Sequence, residues 1–209
     1  VSISNPLQTN LIAGGGVFFA TTKVEGEQAS VEVKTHIENK TTKPVVITVK
    51  QQLTDPEGKT DFYLHSASVT VEPQKSVEIK QNGTLQNARL WSPDAPNLYQ
   101  LKTEVFADGQ LTDSQTDRVG IRSIEIKPEG LWLNGKKTFL RGVNRHQEYP
   151  YIGYSLSDAA QYRDAYKIKQ AGFDYVRCSH YPMSPAFLDA CDELGILVLD
   201  AILGWQYFG

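Results

Sequence analysis

Residues 177–182 read Arg-Cys-Ser-His-Tyr-Pro: a cation, a thiol, a hydroxyl, an imidazole and a phenol in succession, closed by proline. Such a run is a poor way to build a core, because a buried polar group costs free energy unless it is hydrogen-bonded. It suits the lining of a pocket. Two other short stretches end in the same manner. "FLRGVNRH" finishes with Asn144, Arg145 and His146, and "ILVLD" finishes with Asp200, with Trp205 close behind. Imidazole both donates and accepts hydrogen bonds, which suits a hydroxyl. A guanidinium lowers the pKa of a carboxyl group beside it. A plainer reading stands beside each residue: a histidine fixed to backbone in a loop, an arginine in a structural ion pair, an asparagine that only forms a turn, an aspartate that anchors its loop, a tryptophan that packs.

The elements around these runs decide whether they share a rim. "SLSDAAQYRDAYKIKQAG" predicts a helix, with Ser155 and Asp158 as a capping box and Gly172 as its stop. "FDYVRC" predicts a short strand. "SPAFLDACDELG" predicts a second helix, with Ser184 as cap, Pro185 in the first turn and Gly195 at the end. Phe187, Leu188, Cys191 and Leu194 make one apolar face of it. "ILVLD" is a continuous apolar strand of the kind buried on both sides of a parallel sheet. Upstream, "LWLNGKKTFL" predicts a hairpin turned at Asn134-Gly135. Strand, helix, strand, helix, strand is the rhythm of βαβ units. The polar runs then fall at the C-terminal ends of parallel strands, where α/β sheets and barrels bind ligands. A complete (β/α)₈ barrel takes ~250 residues, so this half is expected to be an incomplete α/β barrel segment and the chain a fragment.

The first half has a different grammar. Val31, Val33, Thr35 and Ile37 fall on one face of "ASVEVKTHIE", and Val45, Ile47 and Val49 on one side of "PVVITVKQQL". "SVTVE" and "SVEIK" alternate likewise, and Tyr99, Leu101, Thr103 and Val105 line up in "LYQLKTEVF". Period-two alternation marks half-buried strands. Turn signals separate them at Asn39-Lys40, Asp55 to Gly58, Asn82-Gly83, Ser92 to Asp94 and Asp108-Gly109. The expected fold is therefore an all-β immunoglobulin-like sandwich over residues 1–124, followed by the truncated barrel segment over 125–209.

The bulk composition excludes several classes. The 209 residues carry a net charge of −3 with both signs interspersed, so no basic surface for nucleic acid is expected. No apolar run approaches the ~20 residues of a membrane helix, and the opening "VSISNPLQTN" has no signal-peptide pattern. The compartment stays undetermined. The two cysteines, Cys178 and Cys191, read as buried free thiols. No Cys/His spacing makes a zinc site, and neither a metal nor a cofactor is expected. His36 on the polar side of a strand and His65 in a loop region are expected to be solvated, and Trp91 and Trp132 to pack at the domain junction.

"GLWLNGKKTFLRGVNRH" followed by "FDYVRCSHYPMSPAFLDACDELGILVLD" resembles glycoside hydrolase family 2, which contains β-galactosidases, β-glucuronidases and β-mannosidases. "RGVNRH…RCSHYP" looks most similar to the β-galactosidases. "GGGVFFATT" and "LWSPDAPNLYQLKTEV…RVGIRSIEI" resemble the family's middle immunoglobulin-like domain and its junction with the barrel. Two departures are Asp174, where the family usually has asparagine, and Ala201, where many members have glutamate.

The resemblance implies a retaining hydrolase of β-glycosides. In such enzymes one glutamate protonates the leaving oxygen and a second attacks the anomeric carbon, the two carboxyl groups lying ~5–5.5 Å apart. By resemblance His146 and His180 hydrogen-bond sugar hydroxyls, with Asn144, Asp200 and Trp205 as further substrate contacts, and Arg177 orients the nucleophilic carboxylate. Neither catalytic glutamate is expected within this chain: Glu148 falls in a loop and Glu193 on a helix. The chain alone is expected to be inactive and to self-associate through its open barrel segment. The rival reading is a non-catalytic carbohydrate-binding or assembly module, since a sandwich implies no chemistry by itself.

Overall fold

The computed structural model describes residues 1–4 and 16–201. Its elements run β1 (Ser2–Ile3), β2 (Val17–Glu25), β3 (Gln28–Asn39), β4 (Val45–Thr54), β5 (Thr60–His65), β6 (Val69–Val71), β7 (Lys75–Leu85), β8 (Trp91–Ser92), β9 (Ala95–Pro96), β10 (Leu98–Ala107) and β11 (Gln110–Gly120). There follow β12 (Ile124–Lys127), β13 (Gly130–Leu133), β14 (Lys136–Thr138), β15 (Gly142–Arg145), α1 (Asp158–Gln170), β16 (Tyr175–Cys178), α2 (Pro185–Leu194) and β17 (Leu197–Leu199). The chain divides into two compact units. One comprises Val1–Arg89 with Leu98–Ser123, the other Leu90–Asn97 with Ile124–Gly209.

The first unit is a sandwich of two antiparallel sheets. β3 is flanked by β1 and β2 on one side and by β7 on the other. The second sheet runs β11-β10-β4-β5, with β6 also paired to β4. The alternation read from the sequence is the alternation of burial: Val31, Val33, Thr35 and Ile37 point inward from β3, and Val45, Ile47 and Val49 from β4. Tyr99, Leu101, Thr103 and Val105 do the same from β10. Gln51 crosses the core to give its Nε2 proton to Thr35 Oγ1 at 3.0 Å, so this buried amide is satisfied rather than stranded.

Three local expectations change in this unit. Asn82-Gly83 is not a turn but lies inside β7, paired with Val31 and Glu32 of β3. Glycine is there for space, since a Cβ would lie 2.7 Å from Leu64 Cδ2 and from the Phe62 ring. His65 closes β5 rather than sitting in a loop, and the half-buried His36 ring bonds through Nδ1 to Ser4 Oγ at 2.7 Å. By contrast Asp108 and Gly109, both at positive φ, form the expected tight turn between β10 and β11.

The second unit holds the β12-β13-β14 meander, the small β8-β9 ribbon, and a parallel sheet ordered β15-β16-β17. Asn134 and Gly135, at φ 51° and 73°, turn the expected hairpin. Trp91 is fully buried within this unit, and its indole N–H donates to the Asp192 carbonyl at 2.8 Å. Helices α1 and α2 cover one face of the parallel sheet. Val176, Cys178, Met183, Phe187, Cys191 and Ile196 form the core there, with Ala165 from α1.

The cap of α1 differs from the sequence reading, while Ser184 holds the expected N-cap place of α2. The cap of α1 is Ser157, whose Oγ accepts from Ala160 N at 3.3 Å, and not Ser155. Asp158 is already the first helical residue, so Ser155 lies two residues before the cap and its own N–H bonds to the Ile152 carbonyl instead. Ser184 precedes α2, but only its carbonyl serves the helix, accepting from Phe187 N at 2.9 Å, and its side chain makes no cap bond. Among the described residues no helix is long and apolar enough to cross a membrane.

Candidate functional site

Parallel pairing sets which side chains meet. Val143 stands opposite Val176 and Val176 opposite Val198, all three turned toward the helices. Alternation then places the next layer on the other face. Asn144 stands opposite Arg177 and Arg177 opposite Leu199, and all three are exposed. This uncovered face and its C-terminal rim carry the polar residues.

Arg177 is the centre of the group. Its Nη1 donates to Ser179 Oγ at 3.0 Å and approaches Asn144 Oδ1 at 3.5 Å, while Nη2 lies 3.3 Å from His180 Nδ1. The His146 ring stands edge-on to the His180 ring with centroids 5.6 Å apart. Four residues singled out from the sequence, Asn144, His146, Arg177 and His180, are thus brought together. Ser179 joins them through its hydroxyl and is itself buried. The Ser179–His180 peptide bond is cis. Arg177 is exposed and forms no ion pair among the described residues. A guanidinium and two imidazoles on one uncovered face can hold an anion and several hydroxyls at once.

Arg145 is the correction to the sequence reading. It was grouped with the rim, but alternation turns it to the helix side, where it is 6% exposed. Its Nη2 donates to Gln161 Oε1 at 2.7 Å and to Asp164 Oδ2 at 2.9 Å, and its guanidinium lies 3.9 Å from the Phe187 ring centroid.

Asp200 does not join the group. Asp200 is exposed just past the end of β17, and its carboxylate interacts with the Cys178 thiol. Its Oδ1 accepts from Ala201 N at 2.9 Å. Burial first, and then the Asp200 carboxylate, push the Cys178 thiol up to about 12. Trp205 lies outside the described residues. Both cysteines are buried free thiols.

The loop after β15 flanks the rim. Gln147 N donates to Tyr181 Oη at 2.8 Å, and Gln147 Oε1 accepts from Ser184 N at 2.9 Å. Tyr149 and Gly153 pair through their backbones. Tyr154 stands edge-on to Tyr181, and hydrogen bonding to Tyr181 and then to Glu148 raises the Tyr154 phenol to about 12. Glu148 is therefore an exposed loop residue engaged with a tyrosine, and Glu193 lies on α2. Among the described residues no group of three or more His, Cys, Asp or Glu side chains gathers as a metal site.

The model of glycosyl hydrolases family 2 matches residues 16–122, and the model of that family's TIM barrel domain matches residues 124–204. The chain belongs to glycosyl hydrolases family 2. It is the family's immunoglobulin-like domain followed by the start of its barrel domain. A β-galactosidase of Thermoanaerobacterium thermosulfurigenes is 37% identical over 92% of this chain and 28% of its own length. A β-galactosidase of Thermoanaerobacter pseudethanolicus is 36% identical over 92% of this chain and 25% of its own. Among solved structures, a family-2 member from Bacteroides cellulosilyticus superimposes with a TM-score of 0.84 at 31% identity, over 89% of this chain and 26% of that one. The Bacteroides uniformis β-glucuronidase gives 0.81 at 28% identity, over 88% and 22%. The chain thus spans about a quarter of the length of these family members.

Proposed function

We propose that the protein acts as a retaining glycoside hydrolase on terminal β-glycosides, with a β-galactoside as first substrate. In this reading residues 1–124 are its immunoglobulin-like domain and 125–209 the first part of its catalytic barrel. The supporting observation is the Arg177 group on the uncovered face of three parallel strands. His146 and His180 bond hydroxyls of the sugar at the cleaved bond, and Asn144 bonds a further one. Arg177 holds the nucleophilic carboxylate in place and ionised, since a cation close to a carboxyl lowers its pKa. A second carboxyl protonates the leaving oxygen, and water then releases the sugar from the nucleophile with net retention. Both carboxyl groups come from outside these 209 residues. Asp200, bonded to Ala201 N, suits an anchor of its loop better than a sugar contact, and Trp205 is assigned to stacking on the substrate.

The test compares the 209-residue chain with the product of the reading frame extended past Gly209. The extended protein is expected to hydrolyse an aryl β-galactoside and to release the β-anomer first by proton NMR, and the chain alone to be silent. Turnover by the pure chain, or first release of the α-anomer, overturns the reading. The uncovered sheet face, with Leu199 53% exposed, should also make the isolated chain self-associate. A monodisperse monomer in light scattering would contradict that part.

A further inference from the structure

We propose that Arg145 is the positioning residue for the two-histidine rim, acting through Asp164 and Gln161 of α1 and touching no substrate itself. Its place in the chain gives it a grip on both histidines. It directly precedes His146. Its carbonyl accepts the Ser179 N–H at 2.9 Å, and Ser179 directly precedes His180. One residue thus sits at the root of both turns whose rings meet at 5.6 Å.

The side chain fixes that root from the other face of the sheet. The guanidinium is held by Gln161 and Asp164 and stacks on Phe187, with Nη1 3.3 Å from Met183 Sδ. Asp164 in turn accepts from the Tyr149 phenol at 3.0 Å, which ties in the loop that follows His146. Arg145, α1, the approach to α2 and the 147–154 loop are joined by one charged knot beneath the rim.

Stability alone is a poor reason for such a knot. Apolar residues of similar volume often replace a buried ion pair at no loss, because they avoid its desolvation. The arrangement here even leaves Arg145 Nε buried without a partner among the described residues. What a planar guanidinium held at two acceptors and one ring adds is a fixed direction for the strand end that carries it.

The test uses the 209-residue chain and histidine ring NMR. The four histidines supply their own control, since His36 and His65 lie in the sandwich and His146 and His180 on the rim. The unaltered chain should show a cross-peak between the His146 and His180 ring protons. Asp164→Asn keeps the shape but removes the charge, and should weaken that cross-peak at least threefold while His36 and His65 signals stay in place. Asp164→Glu should restore part of it. Arg145→Met should abolish it, and if that variant fails to fold, Asp164→Asn decides. An undiminished cross-peak in folded Asp164→Asn, or its absence from the unaltered chain, overturns the proposal. The role in catalysis rests on the glycosidase reading. If the extended protein cleaves no aryl β-glycoside, that reading fails, while the spectra still decide the clamp.

Discussion

Asn144 and Arg177 are register partners on adjacent parallel strands, and their side chains meet across the uncovered face with 3.5 Å between Oδ1 and Nη1. The pair is long for a hydrogen bond, and the shorter contact from the same nitrogen goes to Ser179 Oγ at 3.0 Å. Arg177 is thus held from below by Ser179 and steadied from the side by Asn144 and His180.

Replacing Arg177 by methionine should lower kcat/KM of the extended protein by roughly 10²–10³-fold, the scale of losing one charge-stabilising donor in a dry site. The sign of the pH effect follows from the same charge. A nearby cation depresses the nucleophile's pKa, so its removal raises that pKa. The acidic limb of the kcat/KM profile should then move to higher pH. Arg177→Lys should keep the limb near its place and lose rate, since an ammonium lacks the planar fork. Steady-state kinetics across pH check both.

How far this site was legible depends on what each residue needs from its neighbours. The strands of the sandwich could be read because burial on one face imposes period two, as Val31, Val33 and Ile37 illustrate. The parallel strands could be read from their apolar runs and intervening helices. Gly83 misled because a glycine required by Phe62 and Leu64, distant in sequence, looks the same as one required by a turn. Arg145 misled for a related reason. It stands in a polar run of three, and only the strand's alternation, together with Asp164 and Gln161 on α1, turns it away from Asn144 and His146. Ser155 lost the cap to Ser157 by two residues, a shift that helix periodicity cannot detect when the apolar stripe is weak.

His146 and His180 should be energetically coupled. Either His→Ala change alone removes both a hydroxyl contact and the edge-on partner of the other ring. The double variant of the extended protein should therefore lose less than the sum of the two single losses, by about 0.5–1.5 kcal/mol of coupling. A double-mutant cycle on kcat/KM measures this, and strict additivity would refute it.

Gly195 ends α2 at φ +73°, and a Cβ there would lie 2.4 Å from the Pro93 carbonyl oxygen. Gly195→Ala combines a left-handed backbone, costing about 1–2 kcal/mol, with a backbone clash that no side-chain rotation relieves. The variant should lose roughly 2–4 kcal/mol of stability in urea unfolding. Gly172, also at positive φ but with open space around its Cβ position, should lose clearly less as Gly172→Ala.

Burial raises the Cys178 thiol from its ordinary 9.0 to about 12 and raises Cys191 further still. Both groups are therefore neutral in the folded protein at pH 8, and a thiol-specific reagent should find neither until denaturant is added, when both react. The linkage sign follows. In the unfolded chain each thiol gives up its proton near its ordinary value, while the folded chain retains it, so the unfolded state binds fewer protons above that pH. The contribution is complete below about pH 8 and is lost as pH rises from there toward 12. Unfolding free energy should thus decline through that window, and Cys178→Ala should make the decline shallower. An unchanged slope in Cys178→Ala would show that other groups set the alkaline stability.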